Sequence, residues 1–104
     1  MGHDVAGQAL ELLNRARELA PADPTIPAEI GKTLLAEGQP EAALLEFGRA
    51  LALAPRDALN LNNRGVALAA IGQTEAARAD FERALQMDPA LEEARENLRK
   101  LRTR

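Results

Sequence analysis

The sequence predicts an all-α chain of stacked antiparallel helix pairs, and three observations carry that reading. The first is composition: hydrophobic residues make up 46% of the 104 residues, yet Phe47 and Phe81 are the only aromatics. The apolar mass is mostly Ala and Leu, which favour helix, and β-branched residues are scarce. The second is self-similarity: "EGQPEAALLEFGRALALAP" at 37–55 returns as "IGQTEAARADFERALQMDP" at 71–89, 34 residues on. The third is punctuation, because Gly and Pro fall at matching places in both copies and divide each into two helix-length segments.

Under the 34-residue shift, Gly31, Leu34, Ala36, Gly38, Gln39, Glu41 and Ala42 match Gly65, Leu68, Ala70, Gly72, Gln73, Glu75 and Ala76. Ala43, Phe47, Arg49, Ala50, Leu51 and Pro55 match Ala77, Phe81, Arg83, Ala84, Leu85 and Pro89. The Gly, Phe and Pro matches owe nothing to Ala bias. The N-terminus joins in for half a unit: Ala9, Leu10, Arg15, Ala16, Leu19, Ala20, Pro21 and Asp23 return as Ala43, Leu44, Arg49, Ala50, Leu53, Ala54, Pro55 and Asp57.

The elements follow in order. A first helix at 5–20 is the second half of a unit and ends before Pro21. A helix at 26–37 begins late because Pro27 stands in its opening turn, and it closes at Gly38, where a left-handed residue is cheapest for Gly. The third, at 40–54, starts on Pro40, which a first turn tolerates, and carries Ala43, Phe47, Ala50, Leu51 and Ala54 at helical spacing. Gly48 costs this helix about 1 kcal/mol relative to Ala, for no reason legible in the sequence. A fourth helix at 58–71 closes at Gly72. The fifth, at 74–87, takes Thr74 as its expected N-cap and repeats the pattern with Ala77, Phe81, Ala84 and Leu85. Pro55 and Pro89 end the second helix of each unit. The last helix, 90–102, places Leu91, Ala94, Leu98 and Leu101 on one side and ends in basic residues that suit a helix C-terminus. Turns this short force neighbouring helices antiparallel. In domain terms, 1–4 is a disordered end or tag remnant, 5–23 a half repeat, 24–57 and 58–91 full repeats, and 92–104 a capping helix.

Charge and composition exclude several functions. A net charge of −3 gives no general attraction to phosphate backbones, so no nucleic-acid partner is expected. Cys is absent, so there is no thiolate metal site. No apolar run approaches the ~20 residues of a membrane span, so no membrane insertion is expected. "MGHDVAG" lacks a signal-peptide pattern, and the compartment stays open with the cytoplasm as default. No catalytic residue or cofactor is assigned. The sole histidine, His3, is terminal, there is no Gly-rich phosphate loop, and the acidic pairs Glu92–Glu93 and Glu82–Asp88 read as solvated helix positions rather than metal or acid–base sites.

The spacing resembles the tetratricopeptide repeat, a 34-residue helix pair with the pattern W-x2-L-G-x2-Y…A-x3-F…P. Ile30, Gly31, Leu34, Ala43, Phe47, Ala50 and Pro55 carry the resemblance in one unit. Leu61, Gly65, Leu68, Ala77, Phe81, Ala84 and Pro89 carry it in the next, so that it covers residues 9 to about 91. Pro27 replaces the usual Trp, Leu34 and Leu68 the usual Tyr, and Arg64 the usual Leu. Arg64 is expected to pack its stem and reach solvent with its head. The small residues Gly31, Gly65, Ala43 and Ala77 let helices approach, while Phe47 and Phe81 fill the space between successive pairs.

The resemblance implies a right-handed α-solenoid of about two and a half repeats plus the cap, working as a non-catalytic adaptor. A partner peptide or helix would lie in a concave groove lined by the first helices of the units. Mapped onto this chain, the groove takes Thr25, Ala28, Glu29, Lys32, Leu35 and Ala36. It continues through Leu59, Asn62, Asn63, Val66, Ala69 and Ala70 to Glu93, Glu96, Asn97 and Lys100. Asn63 and Asn97 share the slot where some relatives place an asparagine ladder, whose amides pair with any peptide backbone. Other relatives clamp the carboxylate tail of a chaperone with Lys, Asn and Arg. Here those slots hold Ala28, Lys32, Asn63, Glu93 and Asn97, and only Asn63 fits. Two alternatives stand beside the adaptor. One is a self-associating module that forms a homodimer through the uncovered N-terminal helix, with Leu12, Leu13 and Leu19 as its apolar stripe. The other is a fragment of a larger protein of the same family.

Overall fold

The computed structural model describes residues 4–102, six helices and, among those residues, no strand. The expectation placed on Met1–His3 lies outside them. In chain order the helices are α1 (Val5–Leu19), α2 (Thr25–Ala36), α3 (Pro40–Leu53), α4 (Ala58–Ala70), α5 (Thr74–Met87) and α6 (Glu92–Arg102).

Local chemistry sets their ends. Asp4 caps α1 by accepting from the Gly7 N–H at 2.9 Å, and Asp57 caps α4 by accepting from the Asn60 N–H at 3.1 Å. Pro40 is the first residue of α3. Thr74 is not a cap: it is the first residue of α5, and Gln73 precedes it without a side-chain bond. α2 begins at Thr25, with Pro27 in its first turn, where the missing N–H had no partner to lose. Gly38 and Gly72 take φ of 77° and 85°. There the Gln39 N–H donates to the Leu34 carbonyl and the Gln73 N–H to the Leu68 carbonyl, both at 2.9 Å. Each first helix thus ends in a left-handed turn that sends the chain straight back.

α2 packs on α3 and α4 on α5, and α3 then packs on α4, which stacks one pair on the next. α1 covers one end against α2, and α6 the other against α5. α2 also approaches α4, and α4 approaches α6, whereas the backbones of α1, α3 and α5 keep apart. The first helices therefore form the tighter inner layer and the second helices the outer one.

The core is built on two aromatic wedges. Phe47 and Phe81 are 0% and 1% exposed. A Cβ added to Gly31 would lie 2.6 Å from Phe47 Cε1, and one added to Gly65 would lie 2.5 Å from Phe81 Cε1. Each ring thus rests on the glycine face of its own pair. Phe47 also clusters with Ala43 and Ala67, and Phe81 with Leu68, Ala77 and Leu101, so both rings reach into the next layer. Gly48 meets nothing within 4 Å, so no close approach accounts for it.

Two buried carboxylates complete the joints. The sequence suggested that Arg64 would reach water. Instead its guanidinium turns inward and grips Asp80 with two bonds, Nε–H to Oδ2 at 2.8 Å and Nη2–H to Oδ1 at 3.0 Å. That hydrogen bonding, aided by the charge of Asp80 and opposed by burial, raises the Arg64 pKa above its ordinary value. Glu46 occupies the matching slot one repeat earlier and accepts from Arg17 at 3.0 Å and Arg49 at 2.9 Å.

Candidate functional site

The inner layer of α2, α4 and α6 is where a groove was expected, and its side chains follow from helical periodicity. Residues 25, 59 and 93 recur at the starts of the three helices, 29, 63 and 97 one turn on, and 32, 66 and 100 a turn beyond. On α2, Thr25 and Glu29 are exposed, and Glu29 is ion-paired with exposed Lys32 at 3.3 Å. Leu35 turns partly inward to pack on the Phe47 cluster, and Ala28 is buried. On α4, Leu59 is 47% exposed at the mouth of the α3–α4 turn, beside Pro55 and Asp88.

The asparagines do not all face outward. Asn62 was expected in the groove lining, but it is only 2% exposed because α6 lies against it. Its Oδ1 accepts from Asn97 Nδ2 at 3.0 Å, which ties α4 to α6. Asn63 is half-buried and donates through Nδ2 to Asn60 Oδ1 at 3.4 Å, and Asn60 in turn donates to Asp57. The side-chain oxygens of Asn63 and Asn97 make none of these bonds and stay available as acceptors.

Between α4 and α6 lies a hollow of about 250 Å³ lined by Val66, Ala69, Ala70, Asn97, Lys100 and Leu101, with Phe81 as its floor. The expected residues Val66 and Asn97 thus meet at one place, with Ala69, Ala70 and Lys100 around them. The wall is mostly apolar and one edge is polar. Beyond it, Glu92, Glu93 and Glu96 form an acidic rim, with Glu92 paired to Arg95 and Glu96 to Arg99. Among the described residues, no His, Asp or Glu cluster could hold a metal, and no helix is long and apolar enough to cross a membrane.

Sequence reasoning missed the two buried acids. Asp80 and Glu46 share a slot 34 residues apart, and an acid repeated on the apolar side of a helix was the available signal. Their partners lie 16 and 29 residues away, a link that sequence spacing alone does not give.

Residues 58–91 match the family model described as tetratricopeptide repeat. Among curated proteins none matches the chain significantly. Similar solved structures are repeat domains of the same kind. The first such domain of human RPAP3 superposes with a TM-score of 0.91 at 24% identity, covering 94% of this chain and 77% of that one. The second human RPAP3 domain, solved in complex with the HSP70 peptide SGPTIEEVD, gives 0.88 at 25% identity over 93% of this chain and 81% of that one. The domain of Arabidopsis OM64 gives 0.90 at 21% identity over 94% and 81%. Residues 58–91 thus match a tetratricopeptide repeat, and the chain as a whole shares the stacked-helix fold of these repeat domains.

Proposed function

We propose that the chain is a non-catalytic protein-interaction adaptor whose inner groove holds an extended peptide. The observation that carries this reading is the hollow between α4 and α6. It sets an apolar floor beside the amide of Asn97, while Asn63 offers a second acceptor one helix away. A peptide would seat an aliphatic side chain over Phe81 and pair its backbone N–H groups with the two asparagine oxygens. Thr25, Glu29, Lys32 and Leu59 would line its path along α2 and α4. The repeat domains solved with HSP70 and HSP90 peptides lend general support, since they use the same fold to hold peptides. The ligand here differs from those acidic tails. Ala28 stands in the clamp's lysine slot and Lys32 in its first asparagine slot, the cap presents Glu93 and Asn97, and only Asn63 fits. Glu93 at the rim disfavours a carboxylate-rich end. The test is capture of a binding peptide by Asn63→Ala/Lys32→Ala, which should weaken about tenfold or more with little change in melting temperature. Unchanged capture would remove the groove from the account.

One observation favours a second reading, self-association through α1. This helix buries no residue, and Val5, Leu12 and Leu19 are 67%, 67% and 88% exposed. They lie seven residues either side of Leu12, so an antiparallel copy would set Leu12 on Leu12 and Val5 on Leu19. Leu13, expected in the stripe, is half-buried instead. Light scattering should find a dimer that Leu12→Lys dissociates, and a monomer mass at every concentration would end this reading.

A further inference from the structure

We infer that the outer side of the solenoid carries a second, separate binding site, a hollow between α1 and α3 that takes a carboxylate borne on a short branched apolar group. The hollow measures about 270 Å³ and is lined by Arg17, Pro21, Pro27, Arg49, Ala52 and Leu53. Its walls are apolar and its cations come from the two helices it joins.

The argument is a count of charges and donors. Two guanidiniums share a single carboxylate, Glu46, and the cluster is left with one net positive charge. Glu46 accepts one N–H from Arg17 Nη2 at 3.0 Å and one from Arg49 Nη1 at 2.9 Å. Arg17 makes one further bond, a long one of 3.5 Å to Asn14 Oδ1. A guanidinium carries five N–H donors, so most of the ten here are unspent. One of them, Arg17 Nε–H, is buried with no partner. A buried donor without an acceptor costs about 1–3 kcal/mol. An entering carboxylate would neutralise the surplus charge and, with a rotation of the Arg17 side chain, accept from Nε–H, while Pro21, Pro27, Ala52 and Leu53 would enclose an aliphatic tail.

The next repeat shows that this is not a general property of the joint. There Arg64 alone satisfies both oxygens of Asp80. Arg83 matches Arg49, but the residues matching Arg17, Ala52 and Pro27 are Leu51, Gln86 and Leu61, so no cation stands in the place of Arg17 and the lining of the hollow does not recur. The site belongs to the first joint only. Its residues are also distinct from those of the inner groove, so each can fail without the other.

The test is an NMR titration of the whole chain with isovalerate, read at the Arg17 Nε–H resonance. Saturable movement is expected with isovalerate and none with neutral isovaleramide. Arg49→Gln, an exposed position, should weaken the acid about tenfold, and Ala52→Leu should block the hollow while leaving both arginines in place. A dipeptide ending in leucine, with free or amidated C-terminus, identifies the source. Tighter binding by the free dipeptide than by isovalerate points to a protein chain end, weaker binding points to a small acid, and equal binding by the amidated dipeptide would overturn the inference. An Arg17 signal that stays still, that moves equally with the amide, or that responds unchanged in Ala52→Leu would overturn the inference.

Discussion

Gly65→Ala isolates the contact on which the stacking rests. A methyl group there would stand 2.5 Å from Phe81 Cε1, 2.8 Å from Cδ1 and 3.0 Å from Cζ, where carbon pairs prefer about 3.5–4.0 Å. The ring is 1% exposed and backed by Leu68, Ala77 and Leu101, so it shifts only against its packed layer or up into the hollow above it. Overpacking of this kind costs about 1–3 kcal/mol, and a gap this short belongs in the upper part of that range. Removing Gly from a helix interior returns about 1 kcal/mol. The net loss should be about 1–2 kcal/mol, or roughly 4–8 °C in Tm per kcal/mol for a domain of this size. Gly48→Ala is the control, because its methyl group meets nothing within 4 Å and should gain about 0.5–1 kcal/mol. Urea unfolding reads both as shifts of the midpoint at constant slope. In a Phe81→Leu background the penalty of Gly65→Ala should shrink, because the ring atoms that clash are gone. Equal stability changes for Gly65→Ala and Gly48→Ala, or an unchanged penalty without the ring, would refute the wedge.

The other predictions concern a turn, an ion pair and an amide. Gly72→Ala should lose about 1–2 kcal/mol in urea unfolding although its side has open space, because its φ of 85° disfavours any Cβ. Asp80→Asn should lower Tm by several degrees, since Arg64 would keep its charge in a half-buried place without a counter-ion. The folded state raises the Arg64 pKa, so the pair contributes fully below the ordinary arginine value and fades only in strong alkali. Stability between pH 6 and 9 should therefore show no step removed by Asp80→Asn. Asn97→Ala should cost about 1 kcal/mol, because the Oδ1 of buried Asn62 loses its donor, and hydrogen exchange should then quicken in α6.

The helices were legible because their ends are written in local chemistry. Gly38, Gly72, Pro40, Pro55 and Pro89 each act within a few residues of themselves, and the helices stop where they indicate. Thr74 misled for a small reason: it has the hydroxyl of a cap but stands one residue inside the helix. What stayed hidden depended on how one helix crosses another. Arg64 was expected to reach water because a long cationic side chain usually does, but α5 brings Asp80 within 2.8 Å of it. Asn62 and Asn63 are neighbours that were both expected in the groove, Asn63 in the ladder slot. Only the approach of α6 separates them, burying one and leaving the other half-exposed. The inner hollow is hidden for the same reason, being the gap left where α4 and α6 diverge over Phe81.

The central claim is that the inner face receives an extended peptide. A peptide selected from a random library on the whole chain, followed by amide shift mapping, tests it directly. The account predicts that the largest shifts fall on Lys32, Asn63, Val66, Ala69 and Asn97. Shifts confined to the outward faces of α1, α3 and α5, or a library that yields no binder, would contradict it.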